Sequence, residues 1–187
     1  MNYEKTPLYH GYADQILTID LESGAIESPE IDPEVRDFFI GGRGLGLYLL
    51  HKAITEKTTA YDPENPLILA NGPLGGIPQF PGTSKCMAVS LSPLTGNAGI
   101  SNFGGYFGAF LKYAGFDALE VTGKSASDCM IIIDSFKNEV TITDAPAMVQ
   151  VFDLETAIVD RFVKEGHDKR NIVFVTAGVG AANTTFG

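Results

Sequence analysis

A chain of 187 residues, 44% hydrophobic and 19% charged, has the composition of a globular domain and can bury well over half of its unfolded surface. Its formal net charge of −10, from 13 Lys plus Arg against 23 Asp plus Glu, excludes a general nucleic-acid surface, because phosphate neutralisation needs a cationic face. No apolar run approaches the about 20 residues that span a bilayer, and the first ten residues lack the apolar centre of a secretion signal, so a cytoplasmic setting without a membrane partner is expected.

Residues 15–20 alternate apolar and polar and predict a strand, with Leu21-Glu22-Ser23-Gly24 as a hairpin turn into 25–28. Asp32-Pro33 is a helix start, since Asp can cap and Pro suits the first helical position; a short helix follows to about residue 39. The glycines of 41–46 lead an apolar-periodic run, predicting a Gly-rich turn into a helix over 45–55. Residues 62–66 are a turn, 67–71 a buried strand, 72–83 a loop and 85–92 a strand. A helix over 106–114 stops at Gly115, and 119–123 is a strand. Residues 129–134 and 139–143 form a hairpin around Lys137-Asn138. A helix over 153–165, capped by Asp153, leads to a final strand over 171–176. Cys86 and Cys129 fall in apolar runs and read as buried thiols.

The runs GGRGLGLYLLHKA (41–53) and GGYFGAFLKYAG (104–115) echo one another. Either they mark a duplicated unit, or they are two amphipathic helix starts alike by chance. The expected class is α+β, with two similar, mainly antiparallel sheets each carrying a glycine-led helix.

Glycine is enriched, 21 residues or about 11% against a usual level of about 7%, and it clusters. The densest cluster is SPLTGNAGISNFGGYFG, 92–108. Glycines there let backbone N–H groups approach a polar ligand, with Asn102 as an amide and Lys85 as a cation for phosphate. The same residues also suit two tight turns whose aromatics, Phe103, Tyr106 and Phe107, are core, and the residue types alone leave both readings open. Other nucleotide motifs fail. Gly123-Lys124-Ser125 lacks the earlier glycine of a phosphate loop, since position 118 is Ala. Gly178-Val179-Gly180-Ala181-Ala182-Asn183 lacks the third glycine and the later acid of a dinucleotide fingerprint. The three histidines are too scattered for a zinc site, and neither cysteine belongs to a C-x-x-C pair.

The string DPENPLILANGPL (62–74), the strand 85–91 and SPLTGNAGISNFGGYFGAFLKYAGFDALEVTGKS (92–125) resemble the N-terminal domain of the aldehyde:ferredoxin oxidoreductase family of tungsten-pterin enzymes. The opening YADQILTIDLESG and the GGRGLGLYLL run extend the resemblance across about 11–187. It implies a single N-terminal cofactor-binding domain, 1–187, folded as two similar sheets under a bis-molybdopterin that carries tungsten or molybdenum, with magnesium between the pterin phosphates. By this resemblance Asn102 would hold the magnesium through its backbone carbonyl. Gly104, Gly105 and Phe107 would line the cofactor, and Lys85, where arginine is usual, would reach its phosphate side. The family oxidises an aldehyde to a carboxylate and passes electrons through a 4Fe–4S cluster to ferredoxin.

The departures matter as much. The family's P-A-G-E-N pattern reads Gly178-Val179-Gly180-Ala181-Ala182 here. The later segment with the second magnesium contact, the cluster cysteines and the substrate pocket are absent from these 187 residues. The expected function is therefore an incomplete cofactor-binding domain, inactive alone and completed by the missing C-terminal region or a complementary subunit. The rival expectation is a non-catalytic remnant or assembly module. A face left bare by the missing part would favour self-association.

Overall fold

The computed structural model of the protein describes residues 1–80, 82–147 and 150–183. Strands β1 (Ile16–Asp20) and β2 (Ala25–Glu27) pair antiparallel. Helix α1 (Pro33–Phe39) starts as its sequence dictates, the Asp32 carboxylate accepting the Glu34 N–H at 2.8 Å. Helix α2 (Arg43–Ala53) is led by Gly42, strand β3 is Leu67–Ala70 and β4 is Cys86–Leu91. Then come β5 (Ala98–Phe103), helix α3 (Phe107–Ala114) and β6 (Ala118–Thr122). There follow β7 (Cys129–Asp134), β8 (Glu139–Asp144), helix α4 (Val151–Lys164) and, among the described residues, two short 3-10 turns, Lys169–Asn171 and Val179–Asn183.

Six strands form one sheet in the order β2-β1-β6-β3-β4-β5. The β1–β6 pairing is parallel and the other four are antiparallel. Alternation along the strands makes two cores. On one face Ile16, Ile68, Ala70, Val89 and Leu91 meet Leu45, Leu49 and Leu50 of α2. On the other, Leu17, Ile19, Leu69, Cys86 and Leu119 meet Leu111 and Ala114 of α3, with Phe116 and Val140. Residues 1–3 lie along β8, where the Met1 and Val140 backbones exchange hydrogen bonds of 2.7 and 2.8 Å.

The mixed α/β class and the mainly antiparallel sheet hold. The expected pair of similar sheets does not: there are six strands in one sheet and two, β7 and β8, in the other. The two glycine-led helices lie on opposite faces of the same large sheet, so each does not own a half. Three local expectations also change. The glycine cluster contains β5, a strand whose exposed edge position requires no apolar alternation. Helix α4 begins two residues before Asp153, with Gln150 at its cap. Residues 172–176 are not in a strand, because no backbone ladder forms beside them among the described residues. Asn138 takes the left-handed conformation, φ 54, in the β7–β8 turn, as that hairpin reading requires. Gly115 closes α3 at φ 101, its N–H donating to the Leu111 and Lys112 carbonyls.

Candidate cofactor-binding site

The β4–β5 ladder runs in register from Leu91 against Ala98 to Cys86 against Phe103. Asn102 therefore stands opposite Met87, and Lys85 and Gly104 lie one step beyond the last pair. Three of the sequence-predicted site residues thus meet at one end of the edge hairpin, and Gly105 follows directly. Lys85, Asn102, Gly104 and Gly105 are all exposed. Neither the Lys85 ammonium nor the Asn102 side-chain amide has a partner among the described residues. An added Cβ at Gly104 or Gly105 would meet nothing within 4 Å, so this stretch is an open shelf. Tyr106, 73% exposed, does not fill it.

Phe107 stands apart. Its ring lies 6.0 Å from Phe103 and packs on the core beneath α3, and it lines a groove on that side of the sheet. Phe103 and Asn102 are adjacent on β5, so they point to opposite faces, and Phe107 sits on the Phe103 side.

Sequence reasoning did not assemble the shelf's supports. The start of α2 comes to the same end of β4, a Cβ on Gly42 lying 3.8 Å from Met87 Cγ. The Gly42 N–H donates to the Asn71 carbonyl at 2.8 Å. No side chain caps α2, and Arg43 at its first turn is exposed. Gly41 must be glycine here, since its φ is +147 and a Cβ would lie 2.8 Å from the Asn71 carbonyl oxygen.

Asn71 is 1% exposed and ties four elements together. Its side-chain Nδ2 donates to the Gly108 carbonyl at 2.6 Å, and its Oδ1 accepts the Gly72 N–H at 2.9 Å. Its own N–H donates to the Asp117 carbonyl at 2.8 Å. The end of β3 thereby fixes the starts of α2, α3 and β6. The signal in the sequence was one amide at the end of an apolar strand, just before Gly72-Pro73.

Below α3 lies a buried ion pair, Lys112 with Asp117, whose side chains are 0% and 2% exposed. Asp117 also accepts the Ala13 and Asp14 N–H groups at 3.1 and 2.8 Å, and Lys112 donates to the Gly11 carbonyl at 2.9 Å. These bonds offset the cost of burying both charges.

The thiol of Cys86 is pushed up to about 12 by burial, and both cysteines are free. Cys129 is only half-buried. Among the described residues no three His, Cys, Asp or Glu side chains converge on a metal position, and no helix is long and apolar enough to cross a membrane.

The family model for the aldehyde ferredoxin oxidoreductase N-terminal domain matches residues 16–186. A tungsten-containing aldehyde ferredoxin oxidoreductase of Pyrococcus horikoshii is 36% identical over 173 residues, 92% of this chain and 28% of that protein. The enzyme of the same description from Pyrococcus furiosus is 40% identical over 124 residues, 66% of this chain and 20% of its own length. Among solved structures, the active site complex BamBC of benzoyl coenzyme A reductase, with 1,5-dienoyl-CoA, matches with a TM-score of 0.77 at 28% identity. That match covers 88% of this chain and 24% of the other. The chain thus spans 28% and 20% of the lengths of these two relatives. It belongs to the aldehyde ferredoxin oxidoreductase family and corresponds to that family's N-terminal domain.

Proposed function

We propose that this chain is the cofactor-binding floor of a tungsten- or molybdenum-pterin oxidoreductase that converts an aldehyde to a carboxylate and sends the electrons to ferredoxin. The supporting observation is the open shelf at the end of the β4–β5 hairpin, where Lys85, Asn102, Gly104 and Gly105 are exposed and no side chain among the described residues fills the space at Gly104 and Gly105. That shelf fits the group. Glycines at 104 and 105 allow flat, close approach along the backbone, and an unpartnered ammonium suits a phosphate.

In this reading Lys85 provides a point charge to a pterin phosphate, and the uncapped start of α2 with Arg43 adds N–H dipoles and a second cation nearby. Asn102 offers its backbone carbonyl to magnesium. Phe107 acts from beneath, holding the start of α3 to the core behind Gly105. The bound tungsten or molybdenum pterin would supply the two-electron chemistry. The chain's share of the work is to bind, orient and shield one side of it. With two cysteines, Cys86 and Cys129, it holds too few thiolates for a four-cysteine cluster. The iron–sulfur ligands and the aldehyde pocket fall to the remaining part of the enzyme, and the isolated chain is inactive.

The test joins this chain to the part of the Pyrococcus horikoshii enzyme that follows the matched region, in a host fed tungstate and able to make the pterin. Metal and pterin are then counted per folded protein. Stoichiometric tungsten or molybdenum with pterin is expected. A folded hybrid without metal and without pterin would refute the reading and leave the assembly module.

A further inference from the structure

The turn that leads into α2 is strained. Ile40, Gly41 and Gly42 all have positive φ, 65°, 147° and 50°. The Gly41 N–H donates to the Phe39 carbonyl at 2.7 Å and closes a γ-turn around Ile40, a β-branched residue that enters this region only under strain. Such a turn persists only where its surroundings hold it. What holds it is the carbonyl of Asn71, which accepts the Gly42 N–H at 2.8 Å and lies too close to Gly41 to admit a Cβ there.

The side chain of Asn71 fixes that carbonyl in turn. Its Oδ1 accepts the Gly72 N–H at 2.9 Å, which sets the plane of the peptide group that carries the carbonyl. Its Nδ2 donates at 2.6 Å to the carbonyl of Gly108, the second residue of α3. Gly108 is itself pressed on the chain just before Lys85, since a Cβ there would lie 2.7 Å from the Ser84 carbonyl oxygen. One buried amide thus couples the start of α2, where Arg43 is exposed, to the start of α3 and the approach to Lys85. Neither helix start has a side-chain cap. An ionised aspartate would offer Gly108 no donor, and a leucine would make neither bond.

We propose that Asn71 is a positioning residue for the cofactor: its amide holds the strained 40–42 turn and the start of α3 in the arrangement that sets Arg43, Lys85 and the Gly104–Gly105 shelf about one anionic group. The proposal rests on reading the chain as a pterin-binding floor. It adds to that floor a residue that is 1% exposed and acts only through others.

Two measurements test it. In the 187-residue chain, Asn71→Ala is expected to speed exchange of the Gly42 amide by about 10-fold or more while the β4–β5 ladder amides keep their protection. In the hybrid, pterin release is followed by fluorescence well below the melting temperature, and Asn71→Ala is expected to speed it by about 10-fold or more. Leu154→Ala is the comparison at matched distance below its own Tm. Leu154 is buried in α4 and belongs to neither core of the large sheet, so its loss lowers stability without touching the shelf. That variant should release pterin as slowly as the unsubstituted hybrid. If Asn71→Ala does not fold, Asn71→Asp replaces it in the release measurement: it keeps the size and the Gly72 bond and loses the donor to Gly108. Unchanged Gly42 exchange would overturn the proposal. So would a folded Asn71 variant that releases pterin no faster than the Leu154→Ala hybrid. An unsubstituted hybrid without pterin would refute the proposed function and this proposal with it, whereas equal retention by unsubstituted and Asn71 hybrids refutes the positioning role alone.

Discussion

Gly104 and Gly105 are neighbours with different reasons to be glycine. Gly105 has φ +80, a conformation that strains any side chain. Gly104 has no such backbone, and a Cβ there would enter open space. Nothing among the described residues requires glycine at 104, and the proposed function gives it a reason, the close approach of a ligand. Gly104→Val should therefore change stability by no more than about 0.5 kcal/mol, the usual range for an exposed site. Glu120, on β6 beside Thr18 of β1, gives a second test at this scale. Its carboxyl has no partner among the described residues, and burial pushes its pKa up. A raised carboxyl pKa means the folded chain holds the proton more tightly than the unfolded one. Below the unfolded value both states are protonated and no penalty exists; as pH rises through the folded value, the cost of a buried carboxylate sets in and persists. Glu120→Gln is expected to raise Tm at about pH 7, with the gain gone near about pH 3. A pH-independent gain, or none, in thermal melts would contradict this.

At the scale of elements, the join between α3 and β6 rests on the Lys112–Asp117 pair. Removing one partner leaves a buried charge uncompensated, so Lys112→Met should destabilise by about 3–5 kcal/mol in denaturant titrations. A loss under about 1 kcal/mol would mean that water reaches Asp117. This pair was invisible in the sequence, where Lys112 reads as one more polar residue near a helix end and Asp117 as a loop residue. Most elements were legible, because local rules decide them: Asp32-Pro33 starts α1, Gly115 stops α3, and Asn138 turns β7 into β8. Strand β5 was not. Its residues, Ala98 to Phe103, include glycine, serine and asparagine, and they are held by pairing with β4 at the sheet's edge. Residues 171–176 failed in the opposite direction. Their composition favours a strand, but a strand exists only with a neighbour.

At the scale of the whole molecule, long-range pairing was the least legible property. The parallel contact of β1 with β6 joins residues about a hundred positions apart, and no turn signal announces it. It gathers six strands into one sheet and leaves β7–β8 as a two-stranded remainder, where two similar sheets were expected. Of the candidate site, the sequence pointed to Lys85, Asn102, Gly104, Gly105 and Phe107; the β4–β5 register brings the first four together, and Phe107 packs with Phe103 on the other face. It missed the start of α2 and the Asn71 hub, which reach the shelf only through tertiary folding. The molecule that results has an exposed glycine shelf at one sheet edge and an apolar groove beneath α3.

The central claim is that the shelf at Gly104 is a wall of the pterin site. Its most direct test is the pterin-to-protein ratio of the hybrid enzyme carrying Gly104→Val, beside the same hybrid with glycine and with melting curves for both. Unchanged melting, with pterin lost from the valine variant alone, is expected. Equal pterin in two equally folded proteins would contradict it.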